Sequence, residues 1–253
     1  MNPWIESLFK RIQYRGDKNV QFEDLSELML QFAKHVPFEN ISIIQGEDLA
    51  IHADQLKRKI IDQKRGGVCY ELNPIFYNLL KELGFDVQMI SATISGNEKQ
   101  DLIGTHIAIS LIHNQEKYII DVGFGSNLAL KPIPFTGEWV KSVTGEYRVR
   151  KEKTKWGDYI LEKARNGEVE ISYFFDLKPI DESYLNHVKD LITNHPNSPF
   201  NKSLLLAKIT EKGHQTLTEN SYTVTQNGEK NKQSIDSTQF KQLSKDQFGI
   251  VLE

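Results

Sequence analysis

The chain of 253 residues is long enough to bury a sizeable core, as one large domain or as two to three small ones. Its hydrophobic content of 39% and charged content of 26% are those of a globular protein, and a formal net charge of −3 leaves no broad basic field for nucleic acid or an anionic membrane surface. A single cysteine excludes an internal disulfide and fits a reducing compartment, and no apolar run approaches the roughly 18 residues of a membrane span.

The opening MNPWIESLFKRI carries Glu6 and polar breaks, so it does not read as a signal peptide, and cytoplasmic residence is expected. Trp4, Ile5, Leu8, Phe9 and Ile12 recur at helical spacing, with Asn2 as N-cap and Pro3 at the first helical position. Phe22, Leu25, Leu28, Met29, Phe32, Ala33 and Val36 mark a second helix that must stop near Pro37. Leu56, Ile60 and Ile61 predict a shorter third helix before Gly66. Leu72, Phe76, Leu79, Leu80 and Leu83 form a fourth apolar stripe, ended by Gly84. Pro74 inside it either kinks the helix or follows a restart capped by Asn73.

From about residue 86 the period becomes strand-like, in DVQMISATI, THIAISLIH, EKYIIDVGF, EYRVRKEK, DYILEKAR and EISYFFDL. Asn166-Gly167 is a hairpin turn signal, and so many short strands predict a small antiparallel barrel or curled sheet. A helix near DESYLNHVKDLI leads to the turn-rich NHPNSPF. The last fifty residues read as strands SLLLAKIT and NSYTVTQ, a second Asn-Gly turn at 227–228, and a closing helix around Phe240 and Leu243.

The only cysteine lies in RGGVCYEL, just after two glycines. A lone Cys is often a small buried hydrophobe, so a nucleophilic role needs a base and a group to orient it. The strands containing His106 and Asp121 are separated by Asn114-Gln115. With that pair as the loop, residues 113 and 116 face each other, and His106 and Asp121 become diagonal neighbours on one face. A four-residue loop keeps this arrangement, whereas a three-residue loop puts the two on opposite faces. A carboxylate set among the apolar residues of IIDVGF needs a partner, which either capping a bend or orienting His106 would supply. Gly66 and Gly67 allow close backbone approach and place Cys69 near the start of the following helix. There the helix dipole and a neighbouring imidazolium would both favour thiolate.

Other signals are weaker. DVGFGSN lacks the third glycine of a dinucleotide fingerprint and reads as a tight bend, and no phosphate-binding loop motif is present. One Cys, scattered histidines and no H-E-x-x-H give no metal site. KEKTKW reads as a solvated strand and turn rather than a nucleic-acid patch.

PFEN at 37–40, RGGVCYELN at 65–73, TH at 105–106, DVGFG at 121–125 and HPNSPF at 195–200 resemble, in order and spacing, the arylamine N-acetyltransferases. The resemblance covers essentially the whole chain. It implies an α+β fold with a helical domain over 1–85 carrying the Cys, and a central antiparallel β-barrel over 86–180 carrying the His and Asp. An interdomain helix and α/β lid follow over 181–253, the lid short as in bacterial members. It also implies a cysteine-protease-like triad on Cys69, His106 and Asp121, the residues reached above.

The resemblance further implies acetyl-coenzyme A as co-substrate, with no tightly bound cofactor, and a small aromatic amine, hydroxylamine or hydrazine as acceptor. Phe38 and Phe124 resemble aromatic walls beside the thiol, although plain core packing would also account for them. Glu39 and Arg65 resemble an ion pair bracing the Cys loop, and Asn73 resembles a residue orienting it, unless it caps the helix restart. Residues 90–104 carry no signature that selects an acceptor. Two rival readings remain at this point: a thiol amidase or hydrolase with the same triad, and a non-catalytic binder of acyl-coenzyme A or aromatics. Papain-type hydrolases place the His about 130 or more residues after the Cys, whereas here it follows by 37.

Overall fold

Helical spacing of apolar residues shapes the first third of the chain. In α1 (Pro3–Ile12) Ile5, Leu8, Phe9 and Ile12 are buried along one face. Asn2 stands at the cap position, but only its carbonyl is used, accepting from the Ile5 amide at 3.0 Å. The helix α2 (Leu25–His35) ends where Val36 turns extended ahead of Pro37. A short strand β1 (Phe38–Glu39) and one turn of helix α3 (Ile41–Ile44) follow. The next helix, α4 (Ala53–Lys57), runs directly into a π turn at Arg58–Asp62 that the sequence pattern does not announce. The fourth stripe is α5 (Cys69–Glu82), continuous through Pro74, so the helix does not restart and Asn73 does not cap one. The proline lies in the second turn and removes only its own bond to the carbonyl four residues back.

This computed structural model describes residues 2–252, so the outermost residue of each terminal span, 1 and 253, lies outside the described residues. After α5 the chain forms β2 (Asp86–Ile94), β3 (His106–His113), β4 (Glu116–Ile120), β5 (Ile133–Pro134), β6 (Val140–Ser142), β7 (Gly145–Thr154), β8 (Gly157–Arg165) and β9 (Glu168–Pro179). These pair as an antiparallel sheet in the order β5-β4-β3-β2-β9-β8-β7-β6. The segment after β5 reaches β7, where the Gly137 amide donates to the Val149 carbonyl at 3.0 Å, and the sheet becomes a nearly closed barrel. The β3–β4 loop is the two-residue turn Asn114-Gln115, both at positive φ, as the right-handed twist of a tight hairpin favours. Its register runs from His113↔Glu116 to Ile109↔Ile120.

The helix α6 (Glu182–Asn194) is capped by the Asp181 side chain, which accepts from the Tyr184 amide, and it buries Leu185, Val188 and Ile192 in the same core as α1, α2 and α5. The chain ends with β10 (Leu205–Thr210), β11 (Gly213–Thr218), β12 (Ser221–Gln226), β13 (Glu229–Ser234) and α7 (Ser237–Phe248). Leu206, Leu217, Phe240, Phe248 and Ile250 form a core there with Ile41. The sheet order is β1-β10-β11-β12-β13, so a strand from the first third borders the last sheet. Two of its strands, β11 and β13, go beyond the sequence expectation. The first buries Gly213, Gln215 and Leu217, a face with one large apolar residue, and the second is exposed along its whole length, so neither shows hydrophobic alternation. Among the described residues no helix is long and apolar enough to cross a membrane.

Candidate active site

Cys69 is the first residue of α5 and is buried. The loop that delivers it is held from below. The Gly66 amide donates to Glu39 Oε1 at 3.2 Å, and the Glu39 amide donates to the Gly67 carbonyl at 2.9 Å. A Cβ at Gly66 would lie 1.8 Å from the Pro37 carbonyl oxygen, so only glycine lets the loop approach β1 this closely. Glu39 also accepts from Arg65 Nε at 2.9 Å, from the second Arg65 nitrogen at 3.1 Å and from the Ile41 amide at 2.8 Å. Burial works against its charge, but Lys59 and Arg65 hold its carboxyl below the usual range. Glu71 caps the start of α5 by accepting from the Val68 amide at 3.1 Å, and its other oxygen accepts from buried Lys59 at 2.6 Å. Arg65 and Glu39 are therefore brought together under the Cys loop, with a second pair beside them that the sequence did not reveal.

The base and its partner come from the barrel. On β3 and β4, Ile107, Ile109 and Ile120 face the helical core, while Ala108 and Ile119 face the barrel interior. Alternation assigns His106 and Asp121 to the interior side. His106 Nε2 lies 2.7 Å from Asp121 Oδ2, and both residues are buried. Asp121 Oδ1 accepts from Asn73 Nδ2 and from the Gly123 amide, each at 2.9 Å. Asn73 lies four residues after Cys69 on the same face of α5. It donates to the Ile107 carbonyl at 2.6 Å and accepts from the Val122 amide at 2.9 Å. Asn73 thus clasps the helix carrying Cys69 to the strands carrying His106 and Asp121. Gly123 permits the contact, since a Cβ there would lie 2.8 Å from the Cys69 Cα.

With Nε2 committed to Asp121, Nδ1 is left for the sulfur. Burial alone would push the His106 imidazole down, but the charge and hydrogen bond of Asp121, with Cys69 beside it, hold it up at about 10. The ring is therefore an imidazolium at neutral pH. A positive ring beside the sulfur, at a helix N-terminus, is the setting in which thiols act as thiolates.

A cavity of about 240 Å³ opens onto Cys69 and His106. Phe38 and Phe124 both line it, Phe38 with its ring centroid 5.6 Å from that of Phe200 and Phe124 with its ring 4.8 Å from His106. Tyr173 backs the barrel side, fully buried, its ring 5.0 Å from His106 and edge-on to Phe124. Sequence reasoning missed Tyr173 and Phe200 as part of this wall. Phe200 could have been suspected, because it ends the NHPNSPF connector, whereas nothing in EISYFFDL separates Tyr173 from an ordinary core aromatic. Among the described residues, no cluster of three or more His, Cys, Asp or Glu side chains could hold a metal ion.

Comparison with known proteins points to one family. The N-acetyltransferase family model matches residues 21–253. An uncharacterized acetyltransferase of Bacillus subtilis, YvcN, is 37% identical over 230 residues, covering 90% of each chain. Arylamine N-acetyltransferase C from Bacillus anthracis is 40% identical, with a TM-score of 0.93 over 99% of this chain and 100% of that one. A Bacillus cereus arylamine N-acetyltransferase, 42% identical with a TM-score of 0.93 and full coverage of both chains, is described as having a unique Cys-His-Glu catalytic triad. In this chain, the acidic residue bonded to the histidine is an aspartate, Asp121.

Proposed function

The chain belongs to the arylamine N-acetyltransferase family and is an acyltransferase, and from that premise we propose that Cys69 carries the acetyl group, His106 moves the protons and Asp121 orients His106. One observation supports these roles above all: a buried His106–Asp121 bond of 2.7 Å, on a ring that shares its cavity with the chain's one thiol.

Acetyl-coenzyme A is the donor. The Cys69 thiolate attacks the thioester carbonyl, and the departing coenzyme A thiolate takes the proton from the His106 imidazolium, leaving acetyl-Cys69 and neutral His106. The acceptor nitrogen then attacks the acetyl carbon and gives its proton to His106, and the thiolate and imidazolium are restored together. Asp121 holds the ring in one orientation through both halves and stabilises its charged form. Because the chain's own thiol is the carrier, this ping-pong chemistry asks for no resident cofactor.

The acceptor is an arylamine or arylhydrazine, with Phe38 and Phe124 as its walls. A flat ring stacked there gains about 0.5–1.5 kcal/mol beyond burial. Glu39, Arg65 and Asn73 are supports for the loop and helix that carry the sulfur. A free thiol nucleophile suits a reducing compartment such as the cytoplasm.

The test is the acetyl-enzyme itself. Mixing the protein with acetyl-coenzyme A and no amine should add one acetyl group, on Cys69 by peptide mass spectrometry, and Cys69→Ser should abolish both the adduct and turnover. An adduct on another residue overturns the assignment. Beyond that first equivalent per enzyme, release of coenzyme A should depend on added arylamine. Equal release in water alone would point instead to a thiol hydrolase.

A further inference from the structure

A second cavity, also of about 240 Å³, shares no lining residue with the one that holds Cys69. Segments far apart in the chain make it: α3, the residue that leads into β10, and α7 with the chain that follows it. Its apolar wall is Ile41, Ile44, Leu204, Phe240 and Leu252. Ile41 and Phe240 belong to the core beneath, whereas Ile44, Leu204 and Leu252 are only half-buried, so apolar surface is left uncovered at this place.

The wall is preformed. The Ile41 amide is tied to Glu39 Oε2 at 2.8 Å. The Asn40 side chain donates to the Phe200 and Ser203 carbonyls at 2.7 and 2.8 Å and accepts from the Leu205 amide at 2.8 Å. These bonds hold α3 against the approach to β10, so the space between them and α7 needs no ligand to form it. Two groups of opposite charge also line the cavity, Glu219 in the β11–β12 turn and Lys241 on α7. Both are exposed, and among the described residues neither is in a salt bridge.

We infer that this cavity binds a free amino acid with an apolar side chain, its ammonium at Glu219, its carboxylate at Lys241 and its side chain against Ile41, Leu204 and Phe240. Each feature of the site excludes a simpler ligand. An apolar cavity of about 150 Å³ already takes benzene, so this larger one has room for a ring and a short stem. A purely apolar molecule would leave both charges unanswered. An amine alone would bring a like charge to Lys241, and a carboxylic acid alone would bring one to Glu219. A zwitterion answers both at once. The inference is independent of the chemistry at Cys69.

Calorimetric titration with ring compounds of nearly one size tests this: L-phenylalanine, 3-phenylpropanoate, which lacks the ammonium, and 2-phenylethylamine, which lacks the carboxylate. L-Phenylalanine should bind at a single site, and each of the other two about tenfold more weakly. Glu219→Gln should weaken L-phenylalanine about tenfold without weakening 3-phenylpropanoate. Lys241→Gln should weaken it equally without weakening 2-phenylethylamine. Both positions are exposed, so both variants should melt as the wild type does, and the wild-type series stands on its own. No binding of L-phenylalanine, or equal binding of all three compounds, overturns the inference. Wild-type affinity for L-phenylalanine in both folded variants would put the ligand elsewhere, as in the Cys69 cavity, and overturns it too.

Discussion

Buried charge lies on both sides of Cys69, but it is arranged differently on each. On the helical side, Lys59, Glu71, Arg65 and Glu39 form two salt bridges, and their carboxylates also accept backbone amides of the Cys loop and of the first turns of α3 and α5. On the barrel side, His106, paired with Asp121, reaches the cavity. Although burial opposes charge on both groups, Glu39 is held below the usual carboxylate range and Lys59 above the usual lysine range by their partners, so both stay ionised through neutral pH. The barrel pair contains an imidazole, whose proton can be exchanged with a substrate. A buried pair thus holds a loop when neither member can give up its charge, and does chemistry when one member can.

The largest effect that would sharpen this contrast is Asp121→Asn, expected to lower kcat by about 10³–10⁴-fold in a protein that still folds. Steady-state kinetics beside a melting curve would decide it. Near-normal turnover would reduce Asp121 to a structural residue of the bend. The opposite signature is expected from Lys59→Met, which leaves Glu71 buried and unpaired and should cost about 3–5 kcal/mol of stability. Activity per folded molecule should stay within about tenfold, an expectation that denaturant titration with active-site counting can check. If Lys59→Met instead removed activity from a fully folded protein, the division between holding and reacting would be wrong.

The two sides should also fail at opposite ends of the pH scale. His106 is raised from 6.5 to about 10 on folding, so its contribution to stability is complete below about 6.5 and is lost as pH climbs towards 10. Glu39 is lowered from 4.5, so its contribution is present above 4.5 and disappears as pH falls through the lower folded value. Melting temperatures across pH should therefore show a flattened alkaline limb in Asp121→Asn and a flattened acid limb in Glu39→Gln. A common effect of both variants on one limb would mean that the two networks titrate as a single unit. Titration of the His106 ring by NMR should move downward in Asp121→Asn, since the raising charge is gone.

What could be read from sequence follows the same division. The barrel pair was legible because strand register is arithmetic: once Asn114-Gln115 is the turn, the faces of residues 106 and 121 are determined. Cys69 was legible because glycines and a helix start leave a local signature. The Lys59–Glu71 bridge was not, because Lys59 lies on a π turn whose phase departs from the helical period, and long charged residues in a helix normally read as a solvated face. Pro74 misled in the other direction. Proline suggests a break, but the helix continues through it, because the segment is tied on one side by the Glu71 cap and on the other by the three hydrogen bonds of Asn73.

The smallest expected effect concerns the aromatic walls, one from each side of the comparison. Phe38 belongs to β1, bridged to the Cys loop at Gly67 and packed on Phe200, while Phe124 follows Asp121 and packs on His106 and Tyr173. Replacing either by leucine keeps an apolar side chain in the wall but removes a stacking face worth about 0.5–1.5 kcal/mol, a rise in arylamine KM of about two- to tenfold. Phe38→Leu does not touch the imidazole, so acetylation of Cys69 by acetyl-coenzyme A should keep its wild-type rate. Phe124→Leu loosens the packing around His106 as well, and its acetylation rate should fall along with its amine affinity. Single-turnover acetylation and an amine titration measure the two halves separately. If both variants damaged only the amine half, Phe124 would be a wall and nothing more. If both damaged acetylation, the cavity would have no acceptor side distinct from its catalytic one.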